Sequence, residues 1–279
     1  MILVTIILFW QNLVYEKTTT NSFTNNNFLK NWRFSVIKLI DINFNVFSDT
    51  PEGKDPDSHS PTLRMYHKIL WSKQLPNGVK FDLDLNTPRL LHHKSEFGEF
   101  FLSSDQIGNT YTNIKKMSHI VEQVPINEIE YFSSIRSTIA GHVVFPAKKI
   151  DNKMTINGAR GINHKIQDRF DLTLECIRRF YLKENSPLSD TLERYSPFFS
   201  LFQDFKGYVD FFLLQDLVED NHSVIKFWRP FNGFDNFPLP NNIEEYKAYK
   251  KNVVDFLIAR NQRINEKNYK DDECVSGDC

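Results

Sequence analysis

The 279-residue chain has only three cysteines and ten glycines. Cys176 lies in a patterned stretch and Cys274 and Cys279 lie near the C-terminus, a spacing that gives neither a disulfide framework nor a zinc motif. We therefore predict a cytoplasmic protein. The net charge is −1, from 34 basic and 35 acidic side chains. This balance gives no overall attraction to nucleic acid or to an anionic membrane, so a nucleic-acid partner stays open only through a local patch.

Long apolar runs are also lacking. The most apolar stretch starts at Met1 and is broken by Gln11 and Asn12, whereas a membrane-spanning helix needs about 20 apolar residues. The same stretch has no basic start and no small-residue cleavage site of a secretory signal. We predict no transmembrane segment, and we interpret 1–42 as an appended segment outside the fold. It is either a membrane-surface anchor or a translated upstream region.

What the chain does have is 41% hydrophobic residues, including 25 phenylalanines, enough for a sizeable core. We predict one globular domain over 43–265 and a disordered charged tail over 266–279. The predicted fold class is α+β, with an antiparallel sheet from the N-terminal half packed against helices from the C-terminal half. The predicted strands are 99–103, 138–145, 154–156 and 224–231. The main predicted helices are 61–71, 164–182, one that starts at 189–193 with Pro197 near its end or kinking it, and 243–264.

The strongest periodicity predicts the helix at about 164–182. Its apolar residues recur at steps of three and four, as one face of an α-helix requires. Asn163 is a suitable N-terminal cap, and Pro187 prevents the helix from continuing far beyond 182. The apolar face consists of Ile166, Phe170, Leu174, Ile177 and Tyr181.

A polar stripe lies on the opposite face of this predicted helix. It contains His164, Asp168, Asp171 and Glu175, and Glu175 has Arg179 four residues later as an ion-pair partner. We interpret the stripe as a solvated charged face. An ion-pair network with arginines from elsewhere and a metal site are the alternatives. Further metal ligands could come from His92, His93, Glu96 and Glu99, but His92 and His93 should face opposite sides of an extended segment.

The stretch before this helix contains two glycines and two cations. A strand, a glycine turn and a helix N-terminus in succession can present backbone N–H groups to an anion. The spacing matches neither a Walker A loop nor G-x-G-x-x-G. The alternative is a tight turn with Lys165 solvated and Arg160 paired with a carboxylate. The candidate anion-binding residues are Gly158, Arg160, Gly161 and Lys165, with His164 and Glu175 as acid–base candidates.

Three functions remain open on the residues alone. The first is binding of a phosphate-bearing ligand, a nucleotide or a nucleic-acid phosphate, by an enzyme or a sensor. The second is a non-catalytic protein–protein interaction module whose aromatic surplus forms an exposed patch. The third is a metal-dependent hydrolase that uses the carboxylate stripe. No cofactor is predicted.

Several long runs resemble a family of uncharacterised bacterial proteins known only as a domain of unknown function. The resemblance covers about Phe44 to Ile264. It implies a single domain over that span and nothing about chemistry. The runs are FSDTPEGKDPDSHSPTLRMYHKILWSKQLPNG, LHHKSEFGEFFLSSD, MTINGARGINHKIQDRFDLTLECIRRFYLKENSPL and FKGYVDFFLLQDLV.

Overall fold

The computed structural model of this chain describes residues 40–275, with side-chain detail up to 267. Most of the predicted appended segment 1–42 lies outside the described residues. Its last three residues do not, and Ile40 is buried in the core. The N–H of Asp41 also donates to the Tyr66 hydroxyl at 3.1 Å. Ile40 therefore belongs to the packed core.

The described residues form ten α-helices and five short strands. The helices are α1 Pro56–His59, α2 Pro61–Trp71, α3 Ser118–Val121, α4 Ile126–Arg136, α5 Ile156–Ile162, α6 Phe170–Tyr181, α7 Ser189–Arg194, α8 Ser196–Ser200, α9 Phe205–Phe211 and α10 Ile243–Val275. The strands are β1 Lys73–Gln74, β2 Lys80–Phe81, β3 Leu91–Ser95, β4 Gly98–Gln106 and β5 His142–Pro146.

Both sheets are antiparallel and belong to the N-terminal half. β1 pairs with β2, and β4 is the central strand between β3 and β5. In the larger sheet Leu102 lies opposite both Leu91 and Pro146, and Gln106 lies opposite His142. Because side chains alternate along a strand, Ser104 and Asp105 face opposite sides of β4. This alternation separates the two polar clusters described below.

Local sequence explains the best-formed helix of the N-terminal half. Ser60 caps α2 by accepting a hydrogen bond from the N–H of Leu63 at 3.0 Å, and Pro61 occupies its first turn. A Ser cap followed by Pro is a common helix start. Leu63, Leu70 and Trp71 are buried, so this helix lies along the core.

The aromatic surplus is largely internal. Rings from α8, α9 and the turns beside them contact one another with centroids 4.9–5.5 Å apart for the closest pairs. Trp71 joins the same cluster through Phe212 at 5.2 Å. Such edge-to-face and tilted contacts add to the hydrophobic burial that holds the helices to the sheet. The cluster contains Trp71, Phe198, Phe199, Phe202, Tyr208, Phe211 and Phe212.

The predicted α+β class is confirmed: antiparallel sheets of the N-terminal half combine with a mostly helical C-terminal half. The predicted strand at 154–156 is wrong, because Thr155 caps α5 instead. The predicted strand at 224–231 is also wrong, since only one bridge, between Val218 and Ile225, forms there. Within residues 40–275 no helix is long and apolar enough to cross a membrane.

The predicted helix 164–182 begins later than expected. Gln167 and Asp168 adopt left-handed φ values of 49° and 62°, a conformation that no α-helix contains. Asn163 opens a turn, its side chain accepting from the N–H of Lys165 at 2.9 Å. α6 therefore starts at Phe170, and residues 163–169 form an irregular connection between α5 and α6.

Candidate functional site

The two glycines predicted to cradle an anion lie inside α5. The N–H of Gly158 points back to its own cap, Thr155, with the nitrogen 3.4 Å from the Thr155 hydroxyl. Gly161 lies on the exposed side, with open space where a Cβ would be. Neither glycine has a left-handed φ. The predicted glycine turn is thus a short helix, with its N–H groups directed along the helix.

Arg160 is buried completely and faces the inside of the protein. Its Nη1 contacts Asp105 Oδ2 at 2.6 Å and Asp168 Oδ1 at 2.7 Å. Its Nε donates to the Thr173 hydroxyl at 3.1 Å, and its Nη2 donates to the Asp168 carbonyl at 3.1 Å. All three guanidinium nitrogens are therefore engaged by the protein. The geometry matches the alternative prediction, an arginine paired with carboxylates.

Burial dominates the electrostatics of this cluster. It raises the pKa of Asp105 to about 7, against the opposing effect of the Arg160 charge. Burial also lowers the pKa of Arg160, but Asp168 and Asp105 together bring it above its ordinary value. The cluster joins β4, α5 and the turn before α6. Its role in the fold is to fix these three segments together.

The polar stripe is not a solvated face, and that interpretation is wrong. Asp171 is fully buried and pairs with Arg169, whose Nε lies 3.1 Å from Asp171 Oδ1. Asp171 Oδ2 accepts a second bond from the backbone N–H of Trp228 at 2.9 Å. This hydrogen bond attaches the backbone at Trp228 to α6, although the segment around Trp228 forms no strand. The alternative of an ion-pair network with arginines from elsewhere holds for Asp168, which pairs with Arg160 of α5. Asp171 pairs with an arginine of its own stretch.

Glu175 is also buried, and two arginines of the same helix hold it. Arg178 donates from Nε at 2.7 Å and from Nη2 at 2.9 Å, and Arg179 donates from Nε at 2.7 Å. The predicted i,i+4 pair with Arg179 is confirmed. One carboxylate thus serves two guanidinium groups, and this group of three carries a net positive charge. Glu175 orients the arginines and lies outside the lining of the pocket described next.

Arg179 reaches a surface pocket with a volume of about 560 Å³, where it meets both residues that follow Asn163. His164 and Lys165 are two of the residues predicted for the site. Phe234 lies under the Arg179 guanidinium, 5.0 Å from the ring centroid. We call this the basic pocket; it is lined by Asn163, His164, Lys165, Arg179, Asn185, Ser186, Pro187, Gly233, Phe234 and Asp235.

The cations of the basic pocket differ in how firmly they are held. Arg179 is fixed at three points: Glu175, the Asn185 carbonyl at 3.2 Å and the ring of Phe234. Among the described residues, the Nζ of Lys165 has one ion-pair partner, Asp235 at 2.8 Å, and the side chain of Asp235 is 97% exposed. The hydrogen bond from Lys165 lowers the pKa of Asp235. The pocket therefore combines one rigid cation with one exposed ion pair.

Residues 40–264 match the model of a family of unknown function, DUF6994. The match spans more than half of the chain. The chain belongs to this family. Among curated proteins and among solved structures, none matches it. The basic pocket and the Arg160 cluster both lie within the span shared with the family.

A second buried polar cluster, on the Ser104 side of β4, was not foreseen from the sequence. Trp71 Nε1 donates to His67 Nδ1 at 3.0 Å, and His67 Nε2 lies 3.0 Å from the Ser104 hydroxyl. Indole is only a donor, so His67 Nδ1 must accept. Burial holds the pKa of His67 well below its usual range, so the ring is neutral and its proton is on Nε2. His67 therefore donates to Ser104 and cannot take its proton, which excludes a serine nucleophile activated by this histidine.

His92 and His93 of β3 point to opposite sides of the strand, as the alternation of side chains predicts. His92 Nε2 lies 2.9 Å from Glu99 and its Nδ1 lies 3.3 Å from Asp84, both at the surface. His93 is buried and contacts the Asp82 carbonyl at 2.8 Å. The prediction that they face opposite sides is confirmed. Within residues 40–275 no three His, Cys, Asp or Glu side chains are arranged to hold a metal ion.

The residues missed by the sequence analysis come from distant parts of the chain. Asp235 meets Lys165 across 70 residues, and Asp105 meets Arg160 across 55. Periodicity relates residues within one element and cannot give such pairs. Only the pair of His67 and Trp71, four residues apart on α2, carried a local signal.

Proposed function

We propose that this protein binds a phosphate-bearing small molecule, such as a nucleotide, in the basic pocket. The observation that supports this most is the convergence of His164, Lys165 and Arg179 on one pocket, from two separate segments. Arginine and lysine are the usual protein ligands of phosphate. Asn163, Asn185 and Ser186 add neutral hydrogen-bonding groups on the same walls.

Arg179 is the anchor in this proposal. Its Nε and Nη1 are engaged by Glu175 and the Asn185 carbonyl, and no hydrogen bond from Nη2 is found among the described residues. A guanidinium held in place by other groups loses little entropy when it binds an anion. Glu175 therefore has a positioning role here, different from its predicted role as an acid–base group. His164 is the acid–base candidate that lines the pocket.

The proposed site is displaced from the one that the sequence suggested. Lys165 and His164 remain in it, whereas Gly158, Gly161 and Arg160 do not line the pocket. Its volume of about 560 Å³ suits a small molecule better than a nucleic-acid strand. We further propose that this binding takes place in the cytoplasm, because Cys176 is a buried free thiol suited to a reducing compartment.

The test is the thermal stability of the full chain in inorganic phosphate, pyrophosphate and ADP. A ligand of the folded state raises the unfolding free energy by RT ln(1 + [L]/Kd), about 2.7 kcal/mol at about 100 times Kd. Lys165→Ala and Arg179→Lys should reduce the shift at every ligand concentration. Lys251→Ala, which removes an exposed cation of α10, is the matched control. No shift with any of the three anions, or equal shifts in all four proteins, contradicts the proposal.

A further inference from the structure

A second pocket, with walls of a different character, lies at the hairpin turn between β3 and β4. Its volume is about 320 Å³. Aromatic rings form much of the lining: Phe97, Phe100 and Tyr195 belong to it, and Phe198 packs edge-on against Phe100 at 5.8 Å. Phe97 is 47% exposed, at the tip of the hairpin. We call this the aromatic pocket. Its size and apolar walls are typical of small-molecule sites.

Three cations surround the aromatic pocket: Lys148, Lys149 and Arg194. Among the described residues none of them has a carboxylate within 4.0 Å, unlike Arg160, Arg169 or Lys165. The one acid in the lining is Glu99, and His92 already contacts it at 2.9 Å. Lys148 also acts electrostatically on Glu99. The three cations of the lining therefore outnumber its one acid and form no ion pair within 4.0 Å among the described residues.

Two of these cations are held at the pocket wall. The Nζ of Lys148 lies over the ring of Phe101 at 3.9 Å, and the Tyr195 hydroxyl donates to the Lys148 carbonyl at 2.8 Å. Arg194 donates to the backbone carbonyls of Asp190 and Met154 at 2.9 and 3.0 Å. Within the described part of the chain, no hydrogen-bond partner is found for its buried Nε.

We infer that the aromatic pocket is a second ligand site, which takes a small aromatic carboxylate. A flat ring would stack against Phe97 and Phe100 and cover the exposed part of Phe97. The carboxylate would lie at the rim, beside Lys148, Lys149 and Arg194. Charge complementarity decides for an acid over a neutral or cationic aromatic compound. This inference does not depend on the phosphate proposal, because the two pockets share no lining residue.

The experiment is calorimetric titration of the full chain with 1-naphthoate and with its neutral isostere 1-naphthamide. The acid should bind about tenfold or more tightly than the amide, since only the acid gains from the three cations. Lys149→Ala should weaken naphthoate binding about fivefold and leave naphthamide binding unchanged. Lys149 is exposed, so this variant should fold normally.

Three further variants make the result specific. Lys153→Ala removes an exposed cation of the same loop that does not line the pocket, and it should bind naphthoate like the wild type. Lys165→Ala should also bind it normally, because Lys165 belongs to the basic pocket. Phe97→Ala should weaken both the acid and the amide. Equal affinity for acid and amide, equal effects of Lys149→Ala and Lys153→Ala, or loss of binding in Lys165→Ala would each overturn the inference.

Discussion

The Oδ1 of Asp57 lies 3.6 Å from the Nε2 of His142, and neither atom has a hydrogen-bond partner among the described residues. The other ring nitrogen of His142, Nδ1, lies 2.8 Å from the Thr138 carbonyl. A carbonyl only accepts, so Nδ1 carries a proton and Nε2 of the neutral ring presents a lone pair to Asp57. The two groups therefore face each other, and either of them could bind one further proton.

Burial acts on the two groups in opposite directions. It raises the pKa of Asp57 from 3.8 to about 6, to which Asp55 adds, against bonds from Ser104 and Gln106 and the charge of Arg136. It lowers the pKa of His142 from 6.5 to about 4, to which Arg136 and Arg260 add. Near pH 5 the folded pair holds its proton on Asp57, whereas the unfolded chain holds it on His142. Folding moves the proton and leaves the total number unchanged.

We predict that this pair contributes almost no pH dependence to stability between about pH 4 and 6. The folded-state pKa of Asp57 is raised, so its contribution is present at acid pH and is lost as pH rises through about 6. The folded-state pKa of His142 is lowered, so its contribution is lost as pH falls through about 4. The two contributions to the unfolding free energy change with pH in opposite directions. Each amounts to about 3 kcal/mol over the whole titration of its group, so they nearly cancel.

Single variants should separate the slopes. Asp57→Asn leaves His142 alone, so the unfolding free energy should rise with pH between 4 and 6.5 relative to the wild type. His142→Gln leaves Asp57 alone, so the unfolding free energy of this variant should fall as pH rises from 4 to 6, relative to the wild type. Urea unfolding at five pH values measures both. Asp105 also titrates in this range, but it is common to all three proteins. Parallel profiles in the three would show that the two groups do not contribute opposing pH dependences.

Features that depend on residues close together in the sequence could be predicted. The helix at 61–71 was predictable because Ser60, Pro61 and the buried positions are all within eleven residues. The start of the helix after Asn163 was predicted six residues too early. Gln167 and Asp168 have left-handed backbone conformations, which their residue types do not predict. The predicted α+β class is correct despite this error, since it depends on the number and type of elements rather than on their ends.

The candidate site was harder to predict for a physical reason. Arg160 and Lys165 are both cations of one short stretch, and nothing local distinguishes them. Their exposure differs because their ion-pair partners lie far away in the sequence. Arg160 pairs with Asp105 of β4 inside the protein, whereas Lys165 pairs with the exposed Asp235 at the surface. Tertiary packing therefore decides which cation is available to a ligand.

Arg160→Ala should destabilise the protein by about 3–5 kcal/mol, because Asp105 and Asp168 lose the guanidinium that compensates them. The shift of stability with phosphate should persist at conditions where this variant is folded, since Arg160 does not line the basic pocket. Asp105→Asn in the Arg160→Ala background should recover part of the loss. A stable Arg160→Ala protein that no longer responds to phosphate would restore the original loop hypothesis.

Phe170→Ala and Asp171→Ala should both be strongly destabilising. Phe170 is fully buried, and removing its ring should cost about 3–5 kcal/mol. Asp171→Ala should cost a similar amount, because buried Arg169 loses its partner and the Trp228 N–H loses its acceptor. Glu193→Ala, an exposed acid on α7, serves as the control in the same urea titrations and should be nearly neutral. A mild effect of Asp171→Ala would return the stripe to a solvated face.

Asp235→Asn should increase the affinity of the basic pocket for inorganic phosphate. The carboxylate of Asp235 occupies Lys165 in the free protein, so an incoming phosphate must displace it. At an exposed site that competition is weak, and we expect affinity to rise about two- to fivefold. The gain should shrink at high salt, because added ions screen exposed charges.

Asp255→Asn, which removes an exposed carboxylate paired with Lys251 on α10, is the matched control and should leave the affinity unchanged. Calorimetric titration of the three proteins at two salt concentrations decides the matter. A lower affinity in Asp235→Asn would mean that Asp235 is itself a ligand-binding group, and equal gains in both variants would mean that only the overall charge matters.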